Sequence, residues 1–93
     1  MMKVGQVFKL KVPMLGNLVG TLGVCYEEYN IGEEGAGSVI FANGNYDGFS
    51  PIEQKEYLEY LGFSPKISSY KFSNVLKLSD DFNIGIFDTI FKE

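Results

Sequence analysis

The chain has 93 residues, a net charge of −4, eight Phe and six Tyr, enough apolar surface for a single domain with one buried core and too much for a disordered chain. Neither His nor Arg occurs, which removes the commonest general base, the commonest transition-metal ligand and the bidentate clamp for phosphate. No apolar run reaches the length of roughly 18 residues that a membrane span needs, and the single Cys25 has no internal disulfide partner, so a cytoplasmic, reducing location is expected.

Residues 4–12 read as the first strand, with Phe8, Leu10 and Val12 on one side and Val7, Lys9 and Lys11 on the other. Pro13 ends its ladder, and loop 14–19 carries the turn signal Gly16-Asn17. Residues 20–29 form the second strand, with Leu22, Val24 and Tyr26 as the expected core face and Thr21, Gly23, Cys25 and Glu27 facing outward. A cross-strand pair between Glu27 and Lys9 or Lys11 follows from that assignment. The run Asn-Ile-Gly-Glu-Glu-Gly-Ala-Gly over residues 30–37 reads as an acidic loop whose glycines stop the strand.

Residues 37–49 carry the strongest local signal, a β-hairpin. Val39 and Phe41 alternate with Ser38, Ile40 and Ala42 before Asn43-Gly44, a dipeptide suited to the two central positions of a type I′ turn. Ser50-Pro51-Ile52-Glu53 starts a helix with Ser50 as N-cap, Pro51 in the first turn and Glu53 closing a capping box. That helix is expected to run to Leu61, with Gly62 ending it and Phe63 packing back on Leu58. A fifth strand is expected over residues 67–78, bent near Ser73-Asn74. In the final segment, 82–91, Phe82, Ile86 and Ile90 with Phe87 and Phe91 have helical spacing, and a last strand also fits.

The expected fold class is therefore mainly β: five strands, one short helix between strands four and five, and a short C-terminal helix, all in one domain over residues 1–93. This order resembles a small SH3-like barrel, and Gly20-Thr21-Leu22-Gly23-Val24 is similar to the glycine-bearing start of the KOW type of that barrel. The resemblance implies a non-catalytic binding module whose surfaces beside the first loop and the acidic loop contact nucleic acid or another protein. The KOW-like turn here carries no Lys or Arg, which turns the expectation away from RNA. The whole chain also resembles small uncharacterised bacterial proteins, a likeness that implies no activity.

Charge and aromatic placement locate the expected site. Residues 12–50 contain Glu27, Glu28, Glu33, Glu34 and Asp47 but no Lys, so this segment carries −5 and the remainder +1. Tyr29 and Tyr46 flank the acidic loop and the hairpin, and Tyr57 and Tyr60 lie three apart in the expected helix. Tyrosine faces beside carboxylates suit a cationic protein segment, so Glu27, Tyr29, Glu33, Glu34, Tyr46, Asp47, Tyr57 and Tyr60 are the expected partner-binding residues. The alternatives are a nucleic-acid accessory module using Lys3, Lys9, Lys11 and the C-terminal lysines, and an acidic decoy of a nucleic-acid-binding protein. An exposed strand edge allows either a monomer or a homodimer.

Catalytic and metal chemistry find little support. Cys25 reads as a structural strand residue. Glu27 and Glu28 are adjacent on a strand and face opposite ways, while Asp80-Asp81 follows Ser79 as the first turn of a helix. Asn43-x-Asn45-x-Asp47-Gly48 has the oxygen spacing of a calcium loop, but Gln54 stands where the bidentate Glu belongs. Gly16-Asn17-Leu18-Val19-Gly20-Thr21 lacks the lysine of a phosphate-binding loop. No cofactor and no metal are expected.

Overall fold

A computed structural model of the chain describes residues 2–63. The expected strand over 67–78, the pair Asp80-Asp81 and the final segment 82–91 lie outside the described residues. Five strands, β1 (Gln6–Leu10), β2 (Leu22–Ile31), β3 (Glu34–Phe41), β4 (Tyr46–Phe49) and β5 (Leu58–Phe63), form one antiparallel sheet in the order β4-β3-β2-β1-β5. Among the described residues a single helix, α1 (Pro51–Tyr57), links β4 to β5. Among the described residues the sheet stays open: β4 and β5 are its two edges, and no pairing between them closes a barrel.

The core lies on one face. Phe8 and Phe41 sit in register on either side of Gly23, and a Cβ at Gly23 would lie 2.6 Å from the Phe41 ring and 2.7 Å from Val39. Glycine is thus the space into which these side chains pack. Met2, Leu10, Cys25, Phe49 and Leu58 complete the cluster, and Phe41 meets Phe49 edge to face at 6.1 Å. The second strand therefore faces opposite to expectation: Gly23 and Cys25 point to the core, and Val24, paired with Val7 and Ile40, points to the other face. Val24 and Ile40 are also fully buried, so both faces of β2 carry apolar residues and its alternation does not by itself say which is inner.

A β-bulge at Tyr26 interrupts the β2–β3 ladder. Cys25 pairs with Val39 but Glu27 pairs with Ser38, so two steps of β2 span one step of β3. Simple alternation would turn Glu27 and Tyr29 to the core side with Cys25; the bulge turns them to the opposite face, beside Ser38.

The expected acidic loop is instead the tip of the β2–β3 hairpin. β2 runs to Ile31 and β3 begins at Glu34, with Gly32 at φ +63° first in a two-residue turn, the position that type II′ geometry reserves for glycine. The glycines of β3 do not stop the strand. A Cβ at Gly37 would lie 2.6 Å from Met2 Sδ and 2.8 Å from the Glu27 carbonyl oxygen, so this position is bare because Met2 fills it.

The β3–β4 hairpin is present with a different turn. Gly44 has φ +87° while Asn43 keeps a negative φ; the Gly44 N–H donates to Phe41 O at 2.8 Å, and the Phe41 N–H donates to Asn45 O at 2.9 Å. That is a type I turn closed by a left-handed glycine, in place of the expected type I′. In the first loop, Met14 and Asn17 exchange two backbone hydrogen bonds, and the left-handed pair is Leu15-Gly16, one residue earlier than expected.

Helix α1 starts as expected: Glu53 N–H donates to Ser50 Oγ at 3.3 Å, and Ser50 N–H donates to Glu53 Oε1 at 3.0 Å. It ends at Tyr57 and not at Leu61. Leu58 is extended and buried, Leu58 to Phe63 pair with β1, and no glycine cap forms at Gly62. Seven residues with no buried side chain hold a helix weakly, and pairing with β1 provides an antiparallel ladder, irregular only between Val7 and Phe8, as well as the burial of Leu58. Lys9 bridges Glu59 of β5 at 3.5 Å instead of Glu27.

Candidate functional site

On the face opposite the core, a groove of about 470 Å³ runs across β2, β3 and β4. Tyr26, Tyr29 and Tyr46 supply its aromatic surface, Glu27 and Asp47 its charge, and Ser38 and Gly48 its floor. Three features of the chain assemble it. The bulge turns Glu27 and Tyr29 toward β4, the β3–β4 hairpin carries Tyr46 and Asp47 alongside, and Gly48 leaves room for Tyr29. A Cβ at Gly48 would collide with the Tyr29 hydroxyl.

The rings of Tyr26 and Tyr46 stand perpendicular, at 88° with centroids 6.3 Å apart. Tyr26 is buried, whereas Tyr29 and Tyr46 are 37% and 40% exposed and present ring surface to solvent. Ser38 Oγ donates to Glu27 Oε1 at 3.1 Å, fixing that carboxylate, and Gly48 N–H donates to Asp47 Oδ1 at 2.8 Å. One oxygen of each carboxylate is thereby held by the protein. Burial pushes the Tyr26 phenol up to about 12, a hydrogen bond with Ser38 opposes that shift, and the nearby charge of Glu27 reinforces it. Tyr26 is therefore neutral at physiological pH, and the charge of the groove is negative.

Of the expected site residues, Glu27, Tyr29, Tyr46 and Asp47 converge here. Glu33 and Glu34 do not: they form the exposed tip of the β2–β3 hairpin. Tyr57 packs against the core. Tyr60 is on β5, not on the helix, and meets Phe8 edge to face at 5.8 Å. It borders a separate groove of about 390 Å³ with Gln6, Gln54 and Lys55. Tyr26, Ser38 and Gly48 were not foreseen; Tyr26 reads as core, and only the bulge gives it a place at this site.

The remaining candidates resolve into structure. Burial pushes the Cys25 thiol up to about 12, and it donates to Glu27 O at 3.3 Å, so a reactive thiolate is disfavoured. The three residues with calcium-loop spacing are engaged within the chain: the Asn43 and Asn45 amides both donate to Leu15 O, at 3.0 and 2.6 Å, while Asp47 accepts from the Gly48 N–H. Lys11 Nζ donates to Lys55 O at 2.6 Å, at the end of α1, where the helix dipole favours a cation. Among the described residues no helix is long and apolar enough to cross a membrane.

Comparison with protein-family models, characterised proteins and solved structures finds no match to this chain.

Proposed function

We propose that this protein is a non-catalytic interaction module whose acidic, tyrosine-lined groove takes a cationic segment of a protein partner. The observation that carries the reading is the convergence of two half-exposed tyrosines with Glu27 and Asp47 around one groove. A lysine side chain laid there meets ring faces along its stem and carboxylates at its ammonium, a combination that favours a protein segment over phosphate.

An SH3-like relationship is part of the proposal. The strand order β4-β3-β2-β1-β5 and the helical turn before β5 support it, and Gly20 (φ +92°) followed by Gly23 supports the KOW-like entry to β2. Attachment to nucleic acid is the poorer fit, because Lys9 is bridged to Glu59 and Lys11 is held by α1.

Affinity capture from nuclease-treated lysate of the source cells, with the wild-type chain and its Tyr46→Ala variant as baits, tests the reading. Protein partners retained by the wild type are expected to fall away from the variant. Identical partner sets on both baits would refute the groove as the contact surface, and loss of every wild-type partner on nuclease treatment would assign binding to nucleic acid.

A further inference from the structure

The asparagines of the first loop and the β3–β4 turn have no part in the groove, yet they form the most concentrated polar contact in the described structure. Leu15 O accepts from Asn45 Nδ2 at 2.6 Å, from Asn43 Nδ2 at 3.0 Å and from Asn17 Nδ2 at 3.4 Å. Asn43 Oδ1 in turn accepts from Asn17 Nδ2 at 3.1 Å and from the Asn45 N–H at 3.0 Å. Asn17 is buried, and Leu15 holds the left-handed conformation, φ +52°, that a non-glycine residue adopts only when its surroundings enforce it. The Asn43 amide is thus held at both ends, and it clasps the first loop onto the turn.

Among the asparagines of the chain, only Asn43 precedes a glycine. In an open chain that dipeptide is the most reactive toward deamidation, because glycine places no side chain in the path of its own backbone nitrogen. The Gly44 nitrogen bonds to Asn43 Cγ, the side-chain nitrogen leaves as ammonia, and water opens the resulting succinimide to aspartate or isoaspartate. Both reactants are committed in the folded molecule. The Gly44 N–H donates to Phe41 O at 2.8 Å, and the Asn43 amide is fixed by Leu15, Asn17 and Asn45.

We infer that Asn43 is a latent site of spontaneous deamidation, gated by the clasp, so that modification records opening of the first loop from the β3–β4 turn and then makes that opening permanent. Aspartate at this position loses the donor to Leu15 O and sets a negative charge against that carbonyl. Isoaspartate adds a backbone carbon and disrupts the Gly44-to-Phe41 turn.

The test is peptide mapping by mass spectrometry during incubation of the full chain at 37 °C and mildly alkaline pH. Three samples are followed: folded wild type, wild type in denaturing urea, and Asn17→Ala. Folded wild type is expected to convert Asn43 at least about tenfold more slowly than the urea sample, since reaction tracks the open population. Asn17→Ala, which loses its hydrogen bonds to Leu15 and Asn43, is expected to convert at least about fivefold faster than folded wild type, the population change that loss of even one of the two brings. Equal rates in folded and urea samples overturn the gating. So does an unchanged rate in Asn17→Ala whose circular dichroism matches wild type; should that variant not fold, the wild-type pair decides alone.

Discussion

At Gly48 the absence of a Cβ leaves room for the Tyr29 hydroxyl, so one hydrogen atom in place of a methyl group sets how closely that ring lies against β4. The obstructed atom is the far end of a side chain able to swing outward. Gly48→Ala is therefore expected to change stability by less than about 1 kcal/mol while displacing Tyr29, visible as altered NMR shifts of its ring. Gly23→Ala differs: its Cβ meets the Phe41 ring and Val39 inside the core, and a loss of about 1–3 kcal/mol is expected in urea denaturation. Equal costs at the two positions would contradict this distinction. The paired titratable residues Cys25 and Tyr26 give a pH prediction. Burial raises Cys25 from 9.0 and Tyr26 from 10.0, each to about 12, so the folded state holds these protons more tightly than the unfolded state. Their contribution is fully present below pH 9 and disappears as pH rises toward 12. The urea midpoint is expected to fall across that window, and a flat profile would show that the two groups are not differentially protonated on folding.

The start of α1 and its end show what a sequence can and cannot say about an element. Ser50 and Glu53 satisfy each other's backbone donors within four residues, so the capping box is legible locally and is present. Where the helix stops is decided by β1, more than forty residues away, whose edge pairs with Leu58 to Phe63. Helical spacing of Tyr57 and Tyr60 carried no information about that competition. Ser50→Ala is expected to lower stability by about 1 kcal/mol and to leave β5 paired, measured by denaturation together with amide exchange of Tyr60. Exchange at Tyr60 rising to that of an unprotected amide would mean that the helix cap, and not pairing with β1, holds β5. The face of β2 was misread for a related reason: its core positions are Gly23 and Cys25, small residues that score as outward-facing, and the larger Val24 and Tyr26 lie opposite. The bulge that brings Glu27 and Tyr29 to the groove has no sequence mark of its own.

At the scale of the molecule, the uneven charge of the sequence becomes two separate surfaces. Glu27 and Asp47 lie in the tyrosine groove, and Glu33 and Glu34 stand at the tip of the β2–β3 hairpin; Glu28 lies apart from both, accepting from the Val4 N–H at 3.1 Å. Composition identified the sign of the site, and the clustering of Tyr29 with Tyr46 was visible as a flanking pattern; the division between groove and tip needed the sheet. That division separates the groove account from an acidic decoy, which would use Glu27, Glu28, Glu33 and Glu34 together. The most direct measurement is an NMR titration of the isotopically labelled chain with a short lysine-rich peptide, repeated with an acidic peptide of equal length. The account predicts saturable shifts centred on Tyr26, Glu27, Tyr29, Tyr46 and Gly48 with the basic peptide only, weakened about threefold to tenfold by Tyr46→Ala. Shifts centred on Glu33 and Glu34, or a response unchanged by Tyr46→Ala, would contradict it.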